Sequence, residues 1–167
     1  MESIREQTQA HHTAVEQTDF AIKMARGELT DRDYSRYLKV QHLIFLAMEM
    51  EWRLPRKDLK RAPLIVSDIE HMDKRYIDEE APSAVYEYVN HIVALKDERK
   101  INAHIYLNYM GMMFGGQLIK KNVPTEGKMY EFNNRSDLIK SIRELDIEVN
   151  EVKNGFDWHR LIFIQLG

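Results

Sequence analysis

The chain has 167 residues, 44% of them apolar, with a net charge of −3 and no cysteine. That length suits one domain with a real hydrophobic core. The near-balanced charge removes the broad basic field of a nucleic-acid binder, and the lack of thiols excludes disulfides, thiolate metal ligands, iron–sulfur clusters and a cysteine nucleophile.

Apolar residues recur at helical spacing throughout and strand-like alternation is nearly absent, so the expected class is all-α. A first helix is expected from about Ser3 to Ala25, stopping at Gly27. Thr30 and Asp33 form a capping-box signal for a second helix, whose apolar positions Tyr34, Tyr37, Leu38, Leu43, Phe45 and Met48 lead to a stop before Pro55. Pro63 to Tyr76 reads as one or two short helices. Pro82 suits a first helical turn, and Val85, Tyr88, Val89, Ile92 and Leu95 continue from it. Another helix is expected from Glu98 to Lys121, then a polar loop carrying Pro124, Gly127, Asn133 and Asn134. The last helix repeats at Leu138, Ile142, Leu145, Val149, Val152, Phe156, His159, Phe163 and Leu166, with a bend expected at Asn154-Gly155. One domain, residues 1–167, is expected. No stretch approaches the roughly 20 apolar residues of a membrane span, and the opening MESIREQTQAHH lacks an apolar leader. A soluble, cytoplasmic protein with neither membrane nor nucleic acid as partner follows as the expectation.

The segment YLNYMGMMFGGQLIKK, Tyr106 to Lys121, places Gly111, Gly115 and Gly116 inside an otherwise helical apolar run. Each glycine costs a helix interior about 1 kcal/mol relative to alanine, so something must approach that backbone closely. A broad planar ligand is one explanation. A tight helix crossing, or a short loop splitting the segment, is another.

The chain's seven histidines and many carboxylates raise the question of a di-iron site, but no Glu-x-x-His pair occurs. The nearest spacing, Asp68 to His71, lies in a charged segment expected to be solvated. Neither a phosphate-binding loop nor a dinucleotide fingerprint is present, and the common metalloprotease and serine-hydrolase motifs are missing too. His42, His71, His91 and His104 stand among polar neighbours and receive no role. His159 falls on the apolar stripe of the last helix and should point inward. His11 and His12 lie on the first helix, where periodicity cannot choose between them.

IREQTQAHHTAVE (Ile4 to Glu16), HLIFLAMEMEWR and above all YLNYMGMMFGGQLIKK resemble the heme oxygenase family, over about Ile4 to Phe163. The resemblance implies a helical bundle that holds heme between its first helix and a kinked, glycine-rich distal helix. It also chooses His12 as the iron ligand, because the family's ligand is followed by threonine and then glutamate, as in His12, Thr13 and Glu16. By the same likeness Arg5, Tyr106, Lys140 and Arg143 are expected at the heme propionates, with Phe156 in the binding wall.

Gly111, Gly115 and Gly116 would face the macrocycle. The departures fall in the distal pocket, where Met112 replaces the family's usual aspartate, Phe114 a serine, Asn108 an arginine, Phe45 a tyrosine and His159 an asparagine. A thioether has no proton to give, so His159 and Asn108 are the polar groups left to hold water near bound oxygen.

The implied activity is oxidative cleavage of heme, acting as both cofactor and substrate, to biliverdin, carbon monoxide and ferrous iron, using oxygen and outside electrons. An acidic ferredoxin or a flavoprotein reductase would dock beside Lys120, Lys121, Lys140 and Arg143. Two alternatives stay open: a heme-binding or storage protein that has lost turnover, and a pyrimidine-processing enzyme on a similar fold, which the lack of cysteine opposes.

Overall fold

The computed structural model describes residues 2–167. Among these described residues eight α-helices follow one another: α1 (Ile4–Glu16), α2 (Asp19–Ala25), α3 (Asp31–Glu51), α4 (Ala62–Glu70), α5 (Ser83–Ala94), α6 (Glu98–Ile119), α7 (Arg135–Arg143) and α8 (Val149–Leu166). Short 3₁₀ turns join several of them, and no strand occurs among the described residues.

Two of the expected helices are each two helices. The first breaks at Gln17-Thr18, where the Thr18 hydroxyl accepts from the Ala21 amide and starts α2. Thr18 Oγ1 also donates to the Val15 carbonyl, so one side chain closes α1 and opens α2. The last expected helix breaks between Arg143 and Val149, where Glu148 caps α8 by accepting from the Asn150 and Glu151 amides. It does not bend at Asn154-Gly155. Gly155 lies inside α8, where a Cβ would overlap the Leu107 Cδ2 methyl of α6, so the glycine permits a close crossing of two helices. The Thr30–Asp33 capping box forms as the sequence predicts.

Helix α3 is the spine of the core. Tyr34, Leu38, Val40, Ile44, Phe45 and Met48 are at most 1 % exposed, and α4, α5 and α8 pack on this helix. Helix α8 in turn carries α1, α2, α5 and α6, which places α1 and α6 on a common support. A lesser apolar cluster of Ala103, Ile147 and Val152, with Ile4, Tyr106 and Phe156 against it, closes one end of the α1–α6–α8 group.

Asp68 contradicts its expected solvation. It is fully buried and accepts from the Lys128 and Met129 amides at 3.0 Å each, tying the loop after α6 to α4.

Candidate functional site

A cavity of about 700 Å³ opens where α1, α2, α3, α6 and α8 meet, a volume in the range of small-molecule and cofactor pockets. His12, Val15 and Glu16 come from α1, Asn108, Gly111, Met112, Gly115 and Gly116 from α6, and Phe156, His159 and Phe163 from α8.

Helix α6 runs unbroken through its glycines, so no loop splits it. The three glycines do different things. A Cβ at Gly111 or Gly115 would meet nothing within 4 Å, so bare backbone faces open space there. A Cβ at Gly116 would lie 2.7 Å from Tyr130 Cδ1, a buried ring in hydrogen-bonding distance of Tyr34 Oη at 3.1 Å. Gly116 lines the cavity as well, but the place its Cβ would take is filled by Tyr130 and not by open space.

The adjacent histidines separate. The His12 ring stacks on Phe156 with centroids 5.2 Å apart, and its Nε2 lies 2.7 Å from Glu16 Oε1. His11 lies off the cavity, its Nδ1 3.0 Å from Asp157. Because Glu16 is 61 % exposed, parting this contact to free Nε2 for a metal costs at most ~1 kcal/mol.

Behind Met112 runs a chain of polar groups with one direction. Hydrogen bonds from His104, His91 and Asn154 outweigh the desolvation of Glu151 and hold its carboxylate at about 2, so Glu151 only accepts. His104 Nε2–H thus donates to Glu151 at 2.7 Å. Burial lowers the pKa of His104 and keeps its ring neutral, which leaves Nδ1 to accept from the Tyr88 hydroxyl at 2.7 Å. Tyr88 Oη accepts from Asn108 Nδ2 at 3.1 Å, and the same amide nitrogen donates to the His104 carbonyl at 2.9 Å. That carbonyl fixes the amide's orientation, so Asn108 Oδ1 accepts from His159 Nε2–H at 2.8 Å. Burial drives the His159 pKa down to about 4, with the neighbouring His104 adding to the shift. With its pKa so lowered, His159 is a neutral imidazole with an Nδ1 lone pair near neutral pH.

The propionate group of residues is only partly assembled. Arg5 and Arg143 are exposed and close enough to Tyr106 to oppose the upward push that burial gives its hydroxyl. Lys140 is exposed on α7, and none of the four lines the cavity wall. The cation that does line it is Arg26, at the end of α2, which nothing in the helical pattern singles out. Phe45 and Phe114 also leave the pocket: Phe45 is fully buried against Tyr109, ring centroids 5.0 Å apart, and Phe114 is 44 % exposed beneath Arg135. Met112 remains in the cavity at 5 % exposure. Sequence reasoning missed Tyr130, Gln41 and Arg26 in the lining, and missed His104, which is 0 % exposed and central to the polar chain.

The class the structure defines is an all-helical fold whose glycine-bearing helix and an imidazole from the first helix line one cavity. The solved heme oxygenase-1 of the cyanobacterium Synechocystis, in complex with heme, superposes with a TM-score of 0.81 at 20% identity, covering 96% of this chain and 88% of that one. The heme oxygenase of Leptospira interrogans gives 0.79 at 23% identity and covers 96% of both. The heme oxygenase family profile matches residues 1–147, and the chain belongs to that family. Among curated relatives, the heme oxygenase of Guillardia theta is 24% identical over 156 residues, 80% of this chain and 66% of its own length. Heme oxygenase 1 of Bos taurus is 24% identical over 152 residues, 78% of this chain and 53% of its own length. The chain thus spans between half and two thirds of these relatives.

Proposed function

We propose that this chain binds heme in the α1–α6 cavity and cleaves it oxidatively to biliverdin, carbon monoxide and ferrous iron, with electrons from a ferredoxin or a flavoprotein reductase. The observation that carries the proposal is the pairing of His12 on one wall with the open backbone of Gly111 and Gly115 on another. The residues present fit the group. A neutral imidazole suits heme iron, backbone without side chains suits a planar ring, and Val15, Ile22, Leu107, Ile119 and Phe163 supply apolar lining.

Heme, when bound, supplies both the iron that activates oxygen and the ring that is opened. His12 would hold the iron through the Nε2 that Glu16 gives up, and Glu16, on the next helical turn, would then act on the imidazole through its charge. Gly111 and Gly115 would leave room for a small ligand against the α6 backbone. Asn108 and His159 line that space; Tyr88, the His104 carbonyl and His159 engage the Asn108 amide, so His159 Nδ1 is the atom that would hold water there. With His159 neutral, its Nδ1 accepts a hydrogen bond from such a water and turns the water's other proton outward. Arg26 at the cavity, and Tyr106 with Arg5 and Arg143 near it, are the groups available to heme carboxylates; Lys140 would act only from outside the wall. Lys120 pairs with Glu131 at 3.3 Å, so Lys121, exposed beside it, is the cation this end of α6 would offer an acidic electron donor.

A second reading, heme binding without turnover, is favoured by Met112 occupying the wall where a carboxylate would anchor water. Hemin titration followed by a single turnover with ascorbate separates the two. Verdoheme and then biliverdin are expected; a stable hemin complex that forms neither establishes the binding protein.

A further inference from the structure

The polar chain behind the cavity ends in a group that heme binding does not use. His91 of α5, His104 of α6 and Glu151 of α8 bring two Nε2 atoms and one carboxylate oxygen together, all within 4.8 Å of one another. We propose that His91, His104 and Glu151 form a second metal site, for a borderline divalent ion such as zinc or ferrous iron.

The donor set is the first argument. Two imidazoles and one carboxylate hold catalytic zinc in some hydrolases and ferrous iron in the facial triads of oxygenases, leaving further positions to water. The three ligands come from three helices, so occupancy would join α5, α6 and α8 at one point. His104 and Glu151 are 0% and 4% exposed at their side chains, whereas His91 is 33% exposed and gives the ion a way in.

The outer partners are also in place. Tyr88 Oη lies 2.7 Å from His104 Nδ1, and Asn154 Nδ2 holds Glu151 Oε2 at 3.1 Å, leaving Oε1 as the shared oxygen. Among the described residues no lysine or arginine pairs with Glu151, whose partners are the two histidines and Asn154.

The geometry is near what an ion requires. Tetrahedral ligands ~2.1 Å from a metal stand about 3.4 Å apart. Glu151 Oε1 is 2.5 Å from His91 Nε2 and 2.7 Å from His104 Nε2, so the carboxylate must move away by under ~1 Å. The ion would displace both Nε2 protons and make His104 an Nδ1–H donor to Tyr88. Tyr88 touches Asn108, so the site would be coupled to the cavity's polar wall.

The test uses heme-free protein stripped with a chelator and checked for folding by circular dichroism. Cobalt(II) is titrated as an optical probe, zinc(II) by calorimetry and iron(II) anaerobically in competition. One equivalent of cobalt giving a visible d–d band that zinc abolishes is expected. His91→Ala and His91→Gln should weaken uptake at least ~10-fold, while His12→Ala keeps it. The iron competition decides which ion is preferred. Folded wild type that takes up no stoichiometric metal, or uptake lost in His12→Ala and kept in His91→Ala, overturns the proposal. Because heme is absent throughout, failure here is distinct from failure of the heme reading.

Discussion

Gly115 and Gly116 are neighbours in one helix, yet the structure assigns them opposite responses to the same methyl group. At Gly115 a Cβ enters open space, so alanine gains the helix-propensity difference of about 1 kcal/mol with no steric cost. At Gly116 the same gain meets a Tyr130 ring carbon at 2.7 Å and another at 3.3 Å. That ring is 1 % exposed and cannot swing aside, so overpacking of ~1–3 kcal/mol applies. Propensity cancels in the difference between the variants, leaving the steric part alone. For a chain of this size it separates their melting temperatures by roughly 2–12 °C, Gly115→Ala being the higher. Thermal unfolding of the heme-free proteins by far-UV circular dichroism measures it. Equal melting temperatures, or Gly116→Ala the more stable, would refute the packing argument. Hemin titration of the same proteins should show weaker binding by Gly115→Ala, and weaker still by Gly115→Leu, because the side chain occupies cavity volume.

His12→Ala should abolish the histidine-ligated heme spectrum, with added imidazole restoring it, whereas His11→Ala should keep it; the reverse pattern would reassign the ligand. His159 has a folded pKa of about 4 against an ordinary 6.5, so the unfolded chain binds the extra proton first. Stability from this group is full above pH 6.5 and falls as pH drops from there toward 4, by on the order of 3 kcal/mol in all. His159→Phe should flatten urea-derived stability across that window, and an unchanged slope would contradict the buried neutral state. Turnover, for the same reason, should show no inflection near neutral pH that His159→Phe removes. Met112→Asp should raise the single-turnover yield of biliverdin by giving cavity water a carboxylate acceptor, at a cost in stability of a few kcal/mol; a yield unchanged in folded, heme-loaded protein would remove Met112 from the polar wall's chemistry.

Local signals in the sequence were enough for the helical class, the capping box at Thr30 and the unusual glycines of α6, because each depends on residues within a turn or two of one another. They also marked His159 as inward-facing, since helical phase is a local property. The splitting of the first and last helices was not legible. Thr18 and Glu148 cap their helices with ordinary residues inside stretches whose apolar period runs on without interruption. Nor could the pattern assign the glycines one by one, because whether a missing Cβ faces a cavity, Tyr130 or Leu107 depends on what the rest of the chain brings opposite. His104 is the clearest case. Its neighbours in sequence are unremarkable for a helix, and its role exists only because Tyr88 and Glu151, 16 and 47 positions away, arrive at its two ring nitrogens. Helical periodicity fixes which side of a helix faces inward; only the packing of α5, α6 and α8 on one another decides which polar atoms meet there, because a hydrogen bond requires contact that no spacing along the chain encodes.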